Sequence, residues 1–338
     1  MQFNPVHFNP GPFDATGTVT RSFPLPGGKK DSVYVYDRAL VLAINVALAA
    51  GRPLLLAGEP GSGKTTLARN LALGLGASYY ETTITSRTQS TDLVWELDAL
   101  ARLHAAHQDD KDAKEALKED ALFVRPGPLW WALAPDSAAR RGLPEDHAGA
   151  ASQGLTDPGL PAGLARAVLL IDELDKAEPE VPNDLLEIVD ARQIRLRDKV
   201  LPAERSNVLM IFSTNGERDF PGAFERRCVV YRFPEERPAE WFKQIAKRWL
   251  GVDYDEANAE AVAQRLVECR RDARAAGQRP PGTAEYLDAL RAMKDLGIAY
   301  GAAPQGAPAQ PQPQPQPDSA WQQLEALVFR KTAGASAP

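Results

Sequence analysis

The chain has 338 residues, 44% of them hydrophobic and 25% charged, and its 39 Lys and Arg against 45 Asp and Glu leave a formal charge of −6. These proportions fit a globular protein with room for about two folded units and exclude a fibrous or wholly disordered chain. The acidic balance gives no overall basic field, so nucleic acid is not an expected partner, while Cys228 and Cys269, without a CxxC spacing, and four scattered histidines give no readable zinc site or disulfide framework.

Residues 1–33 are rich in Pro, Gly and Phe without periodicity and predict an irregular arm. The longest apolar run, Ala39 to Ala50, is broken by Asn45 and is too short to cross a bilayer. The first residues lack a basic-then-apolar signal pattern, so no membrane is expected and a cytoplasmic location is. A helix over Tyr36–Ala50 leads to a short buried strand, Arg52–Ala57, then a glycine loop and a helix, Thr65–Leu75. Further strands are predicted at Ser78–Thr83, Ala167–Ile171 and Val208–Ser213, with a helix at Asp184–Asp190. Strands alternating with helices imply an α/β domain, its parallel sheet flanked by helices. Of the adjacent Trp130 and Trp131, at least one is expected in its core.

From Pro234 to about Gly301 the pattern is purely helical, predicting a small all-α domain of three helices. The run "QPQPQPQP" within 301–317 reads as an extended spacer. Beyond it Trp321, Leu324, Leu327 and Val328 recur at helical spacing, predicting a short helix in 318–338 that needs a surface to lie on, expected to be its own chain.

Chemistry enters at Gly58–Thr65, "GEPGSGKT", which matches G-x-x-x-x-G-K-[ST] between a strand and a helix. Glycines at 61 and 63 let backbone N–H groups turn around phosphate oxygens, Lys64 adds a point charge, and Thr65 offers a hydroxyl to magnesium. Glu59, Pro60, Gly61, Ser62, Gly63, Lys64, Thr65 and Thr66 are therefore the expected nucleotide-binding residues. An apolar strand ending in two carboxylates, "RAVLLIDE", supplies Asp172 as a second magnesium ligand and Glu173 to polarise a water for attack on the γ-phosphate. A third strand, "VLMIFSTN", ends in Asn215, which reads either as a turn residue or as a side chain orienting that water. Arg226 and Arg227 in "GAFERRC" read either as a solvated face or as an arginine finger for a neighbour's nucleotide.

The ordered set "GEPGSGKT", "LLIDELDKAEPEVPNDLLEIVD", "FSTN" and "FERRC", followed by helices, resembles the AAA+ ATPases, and within them the MoxR-like branch. The most specific part is the continuation after Asp172, similar to that branch's D-E-[IL]-[ND]-[KR]-A-x-P; "FVRPGPLWWAL" resembles the segment ending its helix-2 insertion. The resemblance covers about Tyr36 to Gly297. It implies a nucleotide-binding domain over 34–233, with insertions near 97–131 and 135–165, and a helical lid over 234–300. It also implies ATP and Mg2+ as ligands, Asn215 as sensor 1, and Arg227 as the finger, with Arg226 its rival because Cys228 stands where the family usually has Phe. Where the family often has a sensor-2 arginine this chain has Glu285, leaving Arg279 as a nearby alternative.

The function so implied is Mg-dependent ATP hydrolysis by a homo-oligomeric ring, expected to be a hexamer, that remodels or activates a client protein, possible clients including those with a von Willebrand factor A domain. A nucleotide-dependent switch gating an effector in a defence or signalling system also fits the motifs. A DNA-linked motor is disfavoured by the acidic balance.

Overall fold

The computed structural model describes residues 7–25, 31–107, 120–144, 155–159, 165–196, 199–300 and 320–330. The charged stretch at 108–119, much of the Gly/Pro/Ala-rich segment before residue 164 and the Pro-Gln run lie outside the described residues. In chain order the elements are β1 (Thr18–Phe23), β2 (Ser32–Asp37), α1 (Arg38–Ala50), β3 (Leu54–Ala57), α2 (Lys64–Leu75), β4 (Ser78–Thr83), α3 (Ser90–Val94), β5 (Trp95–Leu97), α4 (Ala99–His107), β6 (Val124–Pro126), α5 (Pro128–Leu133) and α6 (Pro135–Ala139). There follow β7 (Arg166–Asp172), α7 (Glu180–Ala191), β8 (Gln193–Leu196), β9 (Lys199–Pro202), β10 (Asn207–Thr214), α8 (Gly222–Glu225), β11 (Val229–Arg232), α9 (Ala239–Leu250), α10 (Glu256–Ala275), α11 (Thr283–Leu296) and α12 (Ala320–Val328). They group into two compact units, one of Met1–Pro12, Asp37–Ala57 and Thr65–Arg232, the other of Phe13–Tyr36, Gly58–Lys64 and Phe233–Pro338.

The first unit is a five-stranded parallel sheet in the order β11-β3-β10-β7-β4, flanked by helices: the core of an AAA+ P-loop fold. Its inner strands β3, β7 and β10 are near-continuous apolar runs because both faces of such a sheet are covered. Leu54, Leu55, Leu56, Leu169, Leu170 and Ile171 are almost fully buried. β7 and β10 run side by side, Ile171 opposite Phe212, so their carboxyl ends bring Asp172 and the residues after Thr214 to one edge.

Asn45, the polar break in the apolar run of α1, is explained by the segment before it. Its side chain accepts from the Phe8 N–H at 2.7 Å and donates to the Phe8 carbonyl at 3.0 Å, seating a buried Phe8. Both Trp130 and Trp131 are buried, in keeping with the expectation of at least one. Helix α5 has only six residues, enclosed by α3, α6, β4 and β7, and its last carbonyl, at Leu133, accepts from the N–H groups of Glu204 and Arg205. The segment after α3, where the resemblance implies an insertion, leaves and returns through an antiparallel pair, Trp95 opposite Pro126 and Leu97 opposite Val124. A β8–β9 hairpin that the sequence reading did not anticipate follows α7.

In the second unit, the stretch expected to be an irregular arm contains β1 and the start of β2, which form a two-stranded sheet, and Tyr36, placed at a helix start by periodicity, lies within β2 instead. The helix begins after Asp37, whose carboxylate caps it by accepting from the Leu40 N–H at 2.8 Å. Val35 joins Trp241, Phe242, Leu266, Tyr286 and Trp321 in the core of α9–α12. Helix α12 docks there through Trp321 and Leu324, with Phe329 following it, whereas Leu327 faces solvent at 75% exposure. The reason is Glu325, which turns inward: Arg265 donates to it at 2.8 and 3.0 Å and Arg330 at 2.9 Å, fixing the helix's rotation. No helix among the described residues is long and apolar enough to cross a membrane.

Candidate functional site

The loop after β3 turns as its glycines require. Gly61 and Gly63 have φ of +80° and +94°, conformations that side chains with a Cβ rarely adopt. Lys64, 6% exposed, curls back so that Nζ donates to the carbonyls of Gly58 at 2.6 Å and Glu59 at 3.2 Å. Ser62 Oγ is buried with no hydrogen-bond partner among the described residues. Pro60 is exposed at the tip, and Thr66 is exposed on α2.

Glu59 has a second set of neighbours. Its carboxylate takes a two-pronged contact from Arg274, 2.8 and 2.9 Å, and a third from Arg270 at 3.1 Å, both from α10. The Arg274 hydrogen bonds, opposed by partial burial, hold the Glu59 carboxyl below its ordinary range. Gly282, just before α11, approaches the same loop so closely that a Cβ on it would lie 3.0 Å from the Gly61 carbonyl oxygen. Glu285, where the resemblance expects an arginine, instead closes the start of its own helix. Its Oε2 accepts from the Gly282 N–H at 3.0 Å and its Oε1 lies 3.6 Å from Arg279.

At the carboxyl edge of the sheet, Asp172 is held on both sides. Thr65 Oγ1 donates to its Oδ2 at 2.8 Å, and Ser213 donates a short hydrogen bond to its Oδ1. Ser213 Oγ also accepts from the Glu173 N–H at 2.9 Å. Glu173 sits in the left-handed region, φ +59° and ψ +43°, a strained choice for a non-glycine residue. That turn starts a 3-10 segment, Leu174–Lys176, which brings Lys176 Nζ to 2.7 Å from Glu173 Oε2. The hydrogen bond raises the Lys176 ammonium pKa. On the other oxygen, Asn215 Nδ2 donates to Glu173 Oε1 at 3.3 Å. Buried Asp175 anchors the loop after β10, its Oδ2 accepting from the N–H groups of Asn215 and Glu217, both at 3.0 Å.

The arginines of "FERRC" lie on the surface at the end of α8. Arg226 Nε donates to the Gly222 carbonyl within its own turn at 2.9 Å, while Arg227 Nε is 3.4 Å from Asp190 Oδ2, the two side chains 55% and 58% exposed. An ion pair that exposed contributes at most about 1 kcal/mol. Cys228 beside them is buried, and burial pushes its thiol up to about 12.

Ser213, Asp175, Lys176, Arg270 and Arg274 were not singled out in the sequence. Ser213 was within reach of it, since residues two apart on a strand share a face and Asn215 already pointed to one. Thr65 and Asp172 offer a hydroxyl and a carboxylate, the hard oxygen donors that suit Mg2+, and no group of three or more His, Cys, Asp or Glu able to hold a metal occurs among the described residues. The fit is to an ion that completes its shell with phosphate and water. The turned glycine loop, with a partnerless Ser62 hydroxyl and a lysine resting on carbonyls, fits a phosphate chain.

A family model of the AAA domain (dynein-related subfamily) matches residues 53–228. No curated protein matches the chain. Among solved structures, the RuvB Holliday junction branch migration motor of Thermotoga maritima is 18% identical, covers 78% of this chain and 68% of its own, and has a TM-score of 0.37. The FIGL-1 AAA domain in complex with ADP is 17% identical, with coverage of 73% and 62% and a TM-score of 0.37.

Proposed function

From the premise that the chain belongs to the dynein-related subfamily of AAA domains, we propose that it is a magnesium-dependent ATPase of the MoxR-like kind, working as a homo-oligomeric ring on a client protein. The observation that carries the reading is Asp172 held between Thr65 and Ser213, beside a Glu173 carboxylate held by Asn215 and Lys176. A lone solvated acidic pair has no need of four polar partners.

In this reading Lys64 exchanges the carbonyls of Gly58 and Glu59 for phosphate oxygens. Thr65 and Asp172 would hold Mg2+, which would supply neutralisation of phosphate charge. Glu173 takes a proton from the attacking water as the oxygen bonds to the γ-phosphorus and the bond to the β–γ bridging oxygen breaks. Asn215 orients that water or the Glu173 carboxylate, and Arg227 meets the developing charge from a neighbouring subunit. The "DELDKAEP" continuation supports the MoxR-like assignment, and with it a client of the von Willebrand factor A-domain kind.

The test is phosphate release by the purified chain with ATP. Turnover that requires Mg2+, is lost in Lys64→Ala and rises with ATP-dependent oligomerisation in sedimentation supports the reading. A folded protein that binds no nucleotide overturns it.

A further inference from the structure

The opposite edge of the sheet, at the amino ends of β3, β7 and β10, carries a feature the ATPase reading does not use. A cleft of about 750 Å³, its open mouth included, lies between these strand starts and the ends of α1 and α7. Its floor is apolar, from Pro53, Ala77, Leu133, Ala167 and Met210 among others.

Its rim is basic, although the chain as a whole is acidic. Arg52 and Arg166 are exposed and make no side-chain hydrogen bond or ion pair among the described residues, and the half-buried Asn207, which stands opposite Arg166 in the β7–β10 register, makes no side-chain hydrogen bond among them either. Arg192 is different. It holds φ +49° at the end of α7, and its Nη2 donates to the carbonyls of Arg205 at 3.0 Å and Ser206 at 2.7 Å, bracing the wall. The carbonyl ends of α1 and α7 offset some of the positive charge. Two uncommitted guanidinium forks, matched in shape to carboxylates, remain over an apolar floor.

We infer that this cleft docks a partner polypeptide through an apolar anchor residue flanked by Asp or Glu. A metabolite pocket encloses its ligand and buries the polar groups that orient it, whereas here the polar groups stand exposed around a hydrophobic floor. That is the anatomy of an interface hot spot, apolar in the centre, polar at the edge and favouring Arg.

The experiment uses the full chain without nucleotide, so that its failure is separate from failure of the ATPase reading. Fluorescence anisotropy is measured with labelled octapeptides bearing a central Leu, Phe or Trp and Asp or Glu flanks, with central-Ser and Lys-flanked controls. At least one acidic, apolar-centred peptide should bind with a Kd of about 100 μM or tighter, and its central-Ser counterpart should not. The exposed pair R52E and R166E combined should weaken binding about tenfold or more with an unchanged circular dichroism spectrum, and should improve binding of the Lys-flanked peptides. The milder R52M and R166M pair should give the same direction. Absence of acidic-peptide binding, equal binding of the central-Ser control, or unaltered affinity in both folded double variants overturns the assignment. Binding of octanoate with no peptide binding marks the cleft as a small-molecule site and equally overturns it.

Discussion

The hydroxyl of Thr65 reaches the carboxylate of Asp172 at 2.8 Å across 107 residues of sequence, and Ser213 occupies the other carboxylate oxygen. Behind a metal ligand, such a partner fixes which oxygen faces the ion. Ser213→Ala is therefore expected to raise the Mg2+ concentration for half-maximal ATP turnover about 10–100-fold, as losses of supporting hydrogen bonds do. Asp172→Asn should abolish the Mg2+ response. Titration of phosphate release against Mg2+ checks both, and an unchanged midpoint in Ser213→Ala would remove Ser213 from that role.

Glu173→Gln should keep ATP bound and slow its hydrolysis by about 10²–10⁴-fold, the usual contribution of a general base. The amide preserves the shape that Asn215 and Lys176 grip while losing the capacity to take a proton. Calorimetry for affinity and single-turnover phosphate release separate the two effects. Turnover within a few-fold of wild type excludes Glu173 as the base.

Arg227 pairs only weakly with Asp190 on the surface, leaving its guanidinium available to a neighbour in the proposed ring. Arg227→Ala should bind ATP normally and hydrolyse it about 10³-fold more slowly. Mixed with Lys64→Ala, itself inactive, it should recover activity, because some interfaces then join an intact loop to an intact arginine. Lack of recovery in a co-sedimenting mixture counts against action across subunits; a defect confined to Arg226→Ala transfers the role to that residue.

The contact between Glu59 and Arg274 sets a pH dependence. The Glu59 carboxyl titrates below its ordinary value of 4.5, chiefly through the Arg274 hydrogen bonds, so the folded chain binds fewer protons there than the unfolded one. Its stabilisation is complete above that ordinary value and is lost as pH falls through the lower folded one. Urea midpoints measured from about pH 5 down to about pH 3 should fall more steeply in wild type than in Glu59→Gln. Parallel curves would show that the contact contributes nothing.

What the sequence disclosed follows the range of the interactions. "GEPGSGKT" and "RAVLLIDE" are legible because their chemistry is contiguous, each a strand end with its ligands attached. Lys176 against Glu173 spans three residues and was readable in principle. Arg274 meets Glu59 over 215 residues, and no local pattern marks either as the other's partner. The strands β1 and β2 were obscured by the Pro and Gly around them, since six-residue strands give little alternation to read. Leu327 was assigned inward by spacing alone; hydrophobicity could not reveal that a glutamate held by two arginines turns the helix the other way.

The antiparallel clip formed by β5 and β6 makes the excursion it closes a cassette. With Leu97 opposite Val124, the two ends are held at one inter-strand spacing whatever lies between. Lengthening a closed loop costs little, about 0.6 kcal/mol per doubling. Lineages of this chain would be free to lengthen, shorten or exchange that segment without disturbing the sheet, and a protein engineer has the same freedom: a tight turn joining Leu97 to Val124 would yield a minimal core, and a foreign hairpin grafted there a version carrying a new recognition tip.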